Sequence, residues 1–185
     1  MKKEQEQAIA SLRVIEAVYE VDSEDGGFAT VIEVGKSKSI RLENCKAERV
    51  MDRLAGFEGR TLQALKRNRC AVTGCPNKRL DYLAISPSRL FMAVPFRRPI
   101  NTNHSRNAYL NNSRIVRAVP GEAGRSQVIF LSGRTLAVQL SLRRLQTKID
   151  SARRLLYDNI HAMKVELEKA ESNLRRVQRK ERDRQ

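Results

Sequence analysis

Short apolar and β-branched runs, separated by turn residues, fill the first three quarters of the chain. Runs of about four to eight such residues, bounded by Gly, Pro, Asn or Asp, are typical of antiparallel strands. The clearest hairpin is predicted for residues 127–140, around the turn Ser132-Gly133, and residues 46–54 predict a short helix. The other predicted strands cover residues 12–21, 28–34, 39–42, 70–73, 79–85 and 89–94, and residues 108–119 predict a strand or a short helix.

From Ser141 onward the hydrophobic period changes to that of a helix. Apolar residues recur at alternating steps of three and four, with one extra four-residue step between Leu156 and Ile160, and no Gly or Pro follows Gly133. This spacing predicts one helix of about 40 residues, roughly 60 Å long, with a narrow coiled-coil seam. So long a helix is predicted to pair with another helix, the alternative being a solvated single helix. The residues predicted to mediate oligomerisation are Leu156, Ile160, Met163, Leu167 and Leu174.

These patterns together predict an α+β fold, with a β-rich core of antiparallel strands and a long, coiled-coil-like C-terminal α-helix. The chain is expected to have a flexible N-terminus at residues 1–10, a β-rich domain at residues 11–140 and the helix at residues 141–185. A length of 185 residues suits one medium domain with an appendage.

The net charge is unevenly distributed along the chain. With 36 Lys and Arg against 21 Asp and Glu, the formal net charge is +15. Residues 59–149 hold 17 of the basic residues, 14 of them Arg, and only the acids Asp81 and Glu122. An ordinary solvated surface mixes both signs, whereas a single-sign field indicates a polyanionic partner. Because the guanidinium group binds phosphate in bidentate fashion, nucleic acid is the favoured partner, with double-stranded DNA as the first choice.

The arginines predicted to contact DNA occupy loops or strand ends of this acid-poor region, including a long loop predicted from Pro95 to Arg106. They are Arg60, Arg67, Arg79, Arg97, Arg98, Arg106, Arg114 and Arg117. A basic structural protein that binds RNA or associates with the ribosome is the alternative. Recognition of single-stranded RNA usually needs stacking aromatic residues, and the chain has 5 Phe, 4 Tyr and no Trp.

Signatures of catalysis and of metal binding are missing from the sequence. No phosphate-binding glycine loop occurs, and a nuclease would need clustered carboxylates in the basic region. Cys45, Cys70 and Cys75 lack the paired spacing of a structural zinc site. We therefore predict no enzymatic activity, no metal and no cofactor. Without an export-signal pattern or a run long enough to span a membrane, a cytoplasmic protein without membrane association is expected.

Several motifs follow one another between Val18 and Ile149. They are Asp52-Arg53, Phe57-Glu58-Gly59-Arg60, the basic pair Lys78-Arg79, the apolar run from Leu90 to Pro95, Tyr109-Leu110, and the hairpin from Phe130 to Leu136 followed by Ser141. In this order they resemble the competence transcription factor (ComK) family over most of the chain. Tyr109 stands where that family usually has Trp, Phe96 stands where it has Thr, and the long helix is not its usual C-terminus. Residues 109–141 also resemble the closing half of a LytTR DNA-binding domain.

The resemblance to the ComK family implies a sequence-specific transcriptional regulator of bacteria. Such a protein would bind AT-rich promoter sites as an oligomer, largely through the minor groove, and would associate with the nucleoid in the cytoplasm. Arginine suits this mode of recognition because the narrow minor groove of AT-rich DNA concentrates negative potential.

Overall fold

A computed structural model describes most of the chain. The described residues are 9, 12, 14–23, 26–35, 38–65, 82–86, 88–98 and 105–182, with side chains of the last helix to residue 178. The predicted strand at residues 70–73, Cys70, Cys75 and residues 1–8 of the predicted flexible N-terminus lie outside them. Within them the fold is α+β, as predicted, and Ile9 already belongs to the core.

The main elements of the described fold are two antiparallel sheets, one helix of 11 residues and one helix of 41 residues. In chain order the elements are β1 (Ala17–Asp22), β2 (Phe28–Val34), β3 (Lys38–Glu43), α1 (Ala47–Phe57), β4 (Tyr82–Ser86), β5 (Arg89–Pro95), β6 (Asn107–Asn111), β7 (Ile115–Pro120), β8 (Ser126–Phe130), β9 (Thr135–Val138) and α2 (Leu142–Arg182). The predicted hairpin of residues 127–140 is confirmed as β8 and β9. The region 108–119 is two strands, because a 3-10 turn at Asn112–Arg114 separates β6 from β7.

The larger sheet is formed by two three-stranded meanders joined side by side. Its strand order is β3-β2-β1-β6-β5-β4, so that β1 and β6 form the junction, with Ala17 opposite Leu110. The smaller sheet has the order β7-β8-β9. At the junction, the Asn111 side chain donates a hydrogen bond of 2.8 Å to the backbone oxygen of Ile15, which ties the two meanders together.

The central strand β5 explains why the run from Leu90 to Val94 is continuously apolar. Phe91 and Ala93 face α1 and the core on that side of the large sheet. Leu90, Met92 and Val94 face the opposite side, where they pack with residues of the small sheet and of α2. A strand covered on both faces needs apolar side chains at every position, whereas a half-exposed strand alternates.

Helix α1 covers one face of the large sheet and is capped by a buried carboxylate. Val50, Met51 and Leu54 are buried at helical spacing. No side chain at Lys46 caps the helix, and the Glu20 carboxylate of β1 instead accepts a hydrogen bond of 2.9 Å from the backbone N–H of Ala47. The other Glu20 oxygen accepts from the backbone N–H of Ser105 at 2.7 Å. Both oxygens of this buried group therefore have donors, which offsets the cost of burying the charge.

The first part of α2 belongs to the domain and the remainder projects from it. Leu145, Ile149 and Ala152 are buried against the core, and Leu156 is half-buried against it. Beyond Leu156 the apolar side chains of the seam are exposed to solvent, so the helix leaves the domain between Leu156 and Ile160. None of the described helices carries the long, weakly charged apolar stretch that is needed to cross a bilayer.

Candidate nucleic-acid interface

Two buried glutamates hold the turn between β8 and β9 against the large sheet. The Glu16 carboxylate accepts hydrogen bonds from the Ser132 backbone N–H at 3.2 Å and from the Ser132 hydroxyl at 2.5 Å. The Glu33 carboxylate forms an ion pair with Arg134 and accepts a hydrogen bond of 2.6 Å from the Tyr19 hydroxyl. Because these partners come from different sheets, the contacts fix the small sheet relative to the large one.

The hydroxyl of Tyr19 remains a hydrogen-bond donor in this cluster. Burial raises the pKa of Tyr19, and the positive charge of Arg134 lowers it in part. The phenol therefore stays protonated at neutral pH and donates to Glu33, which also accepts a hydrogen bond of 2.8 Å from the Ser39 hydroxyl. Glu33 is thus a buried charge with three partners, two of them neutral donors.

Replacing Glu33 with Ala is expected to lower the free energy of unfolding by about 3 kcal/mol, because the substitution leaves Arg134 without its counter-ion in a partly buried site. Urea denaturation of wild type and variant measures this loss. The control is Glu43→Ala, which removes a carboxylate from the solvent-exposed pair with Arg41 and should leave the free energy of unfolding nearly unchanged. Equal losses in the two variants would contradict a structural role of the buried cluster.

The strand β6, the small sheet and the adjoining part of α2 form a strongly basic unit, residues 105–154, which we term the basic module. It holds ten Lys and Arg against the two acids Glu122 and Asp150. Six of its arginines are exposed and have side chains that make no hydrogen bond or ion pair with any other residue that the structure describes. They are Arg106, Arg117, Arg125, Arg143, Arg144 and Arg154. Such guanidinium groups keep their donors available to a phosphate backbone.

Of the arginines predicted from the sequence, Arg106 and Arg117 lie in the basic module as exposed groups. Arg98 is also exposed and makes no side-chain contact with a described residue. Arg97 differs, because it forms an ion pair with Asp22 at the end of β1 and only 14% of its side chain is exposed. Its charge is therefore already balanced within the fold.

The remaining predicted arginines are divided between partly engaged groups and the undescribed segment. The exposed Arg60 donates a hydrogen bond of 3.0 Å to the backbone oxygen of Ala84, which ties it to β4. Arg114 is half-buried in the turn between β6 and β7. Arg67 and Arg79 lie outside the described residues.

Two arginines that were not predicted as contacts, Arg143 and Arg144, lie in the first turn of α2. Both are exposed, and this turn contains no acidic residue. Positive charge at a helix N-terminus opposes the helix macrodipole, which favours acids there. Two arginines in this position therefore do not serve helix stability, and together with the free backbone N–H groups of the first turn they present positive charge to solvent. This mismatch with the macrodipole was visible in the sequence once the helix start at Ser141 was predicted.

The surface offers few aromatic rings for base stacking. All of the Phe and Tyr residues lie in the described part of the chain, and only Phe57 and Tyr157 among them are exposed. Neither belongs to the small sheet. Binding of single-stranded nucleic acid depends on such rings, whereas binding of a duplex through its phosphates does not.

Groups that could support catalysis are not gathered in the described part of the chain. There, no cluster of three or more His, Cys, Asp or Glu residues could hold a metal ion. Burial raises the pKa of the Cys45 thiol, so that it stays protonated and weakly nucleophilic at neutral pH.

No protein family, curated protein or solved structure matches the chain. An inference about its function therefore depends on its own residues.

Proposed function

We propose that the protein is a sequence-specific, double-stranded DNA-binding transcriptional regulator of the kind that the ComK family represents, acting on AT-rich promoter sites as a homo-oligomer at the nucleoid. The observation that carries the proposal is the basic module, in which six exposed arginines have no partner among the described residues and only two acids occur. Such a surface repels itself, and a polyanion relieves the repulsion.

The positions of these arginines suit contacts to a phosphate backbone. Arg117 lies on β7 of the small sheet, which Glu16 and Glu33 fix against the large sheet. Arg143 and Arg144 lie at the start of α2, whose first part packs against the core. A rigid support matters because arginine loses less side-chain entropy on binding when its backbone is already ordered. Phosphate contacts of this kind position a protein on DNA, and sequence choice comes from groove contacts or from DNA shape.

A duplex is favoured over single-stranded RNA by the shortage of exposed aromatic rings. The exposed rings, Phe57 and Tyr157, lie outside the small sheet, so the basic module itself offers charge without stacking. The alternative function as an RNA-binding or ribosome-associated protein uses the same charge, and a direct competition distinguishes the two.

The oligomer in this proposal depends on the free part of α2. Ile160, Met163, Leu167 and Leu174 are exposed at coiled-coil spacing, which supports pairing with a second helix. Leu156, also predicted to mediate oligomerisation, packs in part against the domain core and so marks the start of the free seam. Two linked domains on one duplex would gain affinity through effective concentration.

Binding to a short AT-rich duplex should weaken steeply with salt. Six phosphates neutralised per module predict that log K falls with log[salt] at a slope of roughly −5, since each contact releases condensed counter-ions. Fluorescence anisotropy over a salt series measures the slope. Competition with RNA of equal length should displace the DNA poorly. A slope near zero would contradict DNA binding, and equal displacement by RNA would favour the RNA-binding alternative.

A further inference from the structure

The free segment of α2 presents a seam of apolar side chains that nothing in the chain's described part covers. About half of each large side chain is exposed, far more than in the buried part of the same helix. The seam consists of Ile160 (44% exposed), Met163 (52%), Leu167 (59%), Ala170, Leu174 (61%) and Val177 (53%). A seam with this spacing packs against a helix of the same spacing, and a second copy of the segment supplies one.

Charged residues beside the seam distinguish the two ways in which two copies can pair. Lys164 and Glu171 follow the seam residues Met163 and Ala170 directly and lie on one flank, whereas Glu166 precedes Leu167 and lies on the other flank. Flanking positions of this kind face the partner helix and set its orientation through charge.

Within one chain, Glu166 has a charged partner on its own helix, whereas Lys164 and Glu171 have none among the described residues. Glu166 accepts a hydrogen bond of 2.9 Å from Lys169 on its own helix. Lys164 and Glu171 make no ion pair or hydrogen bond through their side chains with any residue in the described segments. They are therefore the charges left to pair across a helix interface.

A parallel pair of helices would place like charges together. In that arrangement each flank meets the opposite flank of the partner helix, one heptad further along. Glu166 of each chain therefore lies beside Glu171 of the partner subunit, and this contact occurs twice in the dimer. In an antiparallel pair the same flanks meet, so Lys164 of each chain faces Glu171 of the partner subunit. Two repulsive contacts are thus replaced by two attractive ones.

Packing along the seam favours the same orientation. A parallel pair would place Ala170 opposite its own copy, which leaves a thin layer in the interface. In the antiparallel register, Ala170 faces Leu167, Met163 faces Leu174 and Ile160 faces Val177. Ala170 then opposes a large side chain and not a second Ala, which fills the interface more evenly.

We propose that the protein dimerises through an antiparallel pair of α2 helices over residues 160–177, with Lys164 facing Glu171 of the partner subunit. This proposal rests on the self-association included in the proposed function, and it is independent of DNA binding. In this register Leu156 lies level with residue 181 of the partner. The two Leu156 residues, the last seam residues that pack against their domains, are then about 37 Å apart along the pair, since a helix rises about 1.5 Å per residue.

That separation matches the geometry of a duplex. Successive half-sites on one face of DNA lie about 34–36 Å apart, and a two-fold symmetric dimer reads a palindromic site. The antiparallel pair relates its two domains by such a two-fold axis. The length of the paired segment from Leu156 onward is therefore suited to holding two basic modules about one helical turn apart along the pair.

Charge reversal distinguishes the two orientations because Glu171→Lys has opposite effects in them. In the antiparallel dimer this variant should weaken dimerisation roughly tenfold, because Lys then faces Lys164 twice. In a parallel dimer the same variant would strengthen dimerisation, because Lys would face Glu166. The dimer dissociation constant, measured by sedimentation at low salt without DNA, is the readout.

The reciprocal variant and a control complete the experiment. Lys164→Glu alone should also weaken the dimer, and the double variant Lys164→Glu with Glu171→Lys should restore wild-type dissociation. The control Glu168→Lys makes the same charge change off the flanks and should leave dissociation nearly unchanged, while circular dichroism checks that all variants keep the helix. An unchanged or tighter dimer for Glu171→Lys, a double variant weaker than either single variant, or a monomeric wild type would overturn the proposal. Because no DNA is present, a failure of DNA binding does not affect these results.

Discussion

Replacing Leu167 and Leu174 together with Asp is expected to convert the protein to a monomer and to lower its affinity for duplex DNA by about 100-fold. Both side chains are more than half exposed in the single chain, so their loss leaves the domain core intact. In a helix pair, however, the carboxylates would be buried against apolar partners, which costs several kcal/mol. Loss of the pair removes the effective-concentration advantage of two linked domains, typically about 100-fold or more.

Sedimentation and anisotropy measure these two effects in parallel. The matched control is Ala162→Asp with Ser172→Asp, which adds the same charge to the same helix at exposed positions outside the seam. The control should remain dimeric and lose only the small affinity that two extra negative charges cost. A monomeric seam variant with wild-type DNA affinity would show that pairing is not needed for binding, whereas a dimeric seam variant would contradict pairing through α2. Leu156 is unsuitable for this test, because it packs partly against the core.

Replacing Arg117, Arg143 and Arg144 with Ala should lower DNA affinity by about 100-fold and reduce the steepness of the salt dependence. Each lost phosphate contact lowers the magnitude of the slope by about 1 per module. Anisotropy over a salt series measures both quantities on one duplex. The three side chains are exposed, so the free energy of unfolding should stay close to that of the wild type.

The matched control removes three positive charges from the opposite face of the large sheet. Lys46, Arg49 and Arg53 lie at or within α1, away from the small sheet, and all three are exposed. If long-range charge alone governs binding, their replacement with Ala will weaken DNA binding as much as the first variant does. A specific interface in the basic module predicts a much smaller loss for the control.

Local patterns in the sequence predicted the elements, since each depends on residues close in the chain. The structure confirms the hairpin around Ser132-Gly133, the predicted strand at residues 89–94, which extends to Pro95, and the long helix. β1 begins at Ala17, later than the predicted start at Leu12, because propensity alone does not place the first pairing partner. The sequence left open whether residues 108–119 form a strand or a helix. They form two strands, because a 3-10 turn that leaves no periodic signal in the sequence separates β6 from β7.

The candidate interface was only partly predictable, because partnerships between distant residues decide which charges remain free. Arg97, one of the arginines predicted to contact DNA, forms an ion pair with Asp22, which lies far away in the sequence. From the sequence, the acids of the first third of the chain could be assigned only a contribution to the net charge. In the structure, Glu16, Glu20 and Glu33 are buried and hold the fold together.

The junction between β1 and β6 has a consequence for the order in which the chain folds during synthesis. The first meander can form as soon as β3 leaves the ribosome, but β1, an outer strand of that meander, then has an open edge until β6 is made. An open strand edge is a template for pairing with another chain, and contacts between distant strands form slowly. The nascent protein therefore passes through an interval in which a strand from the centre of the finished sheet has an unpaired edge, and chaperone binding would be most useful during that interval.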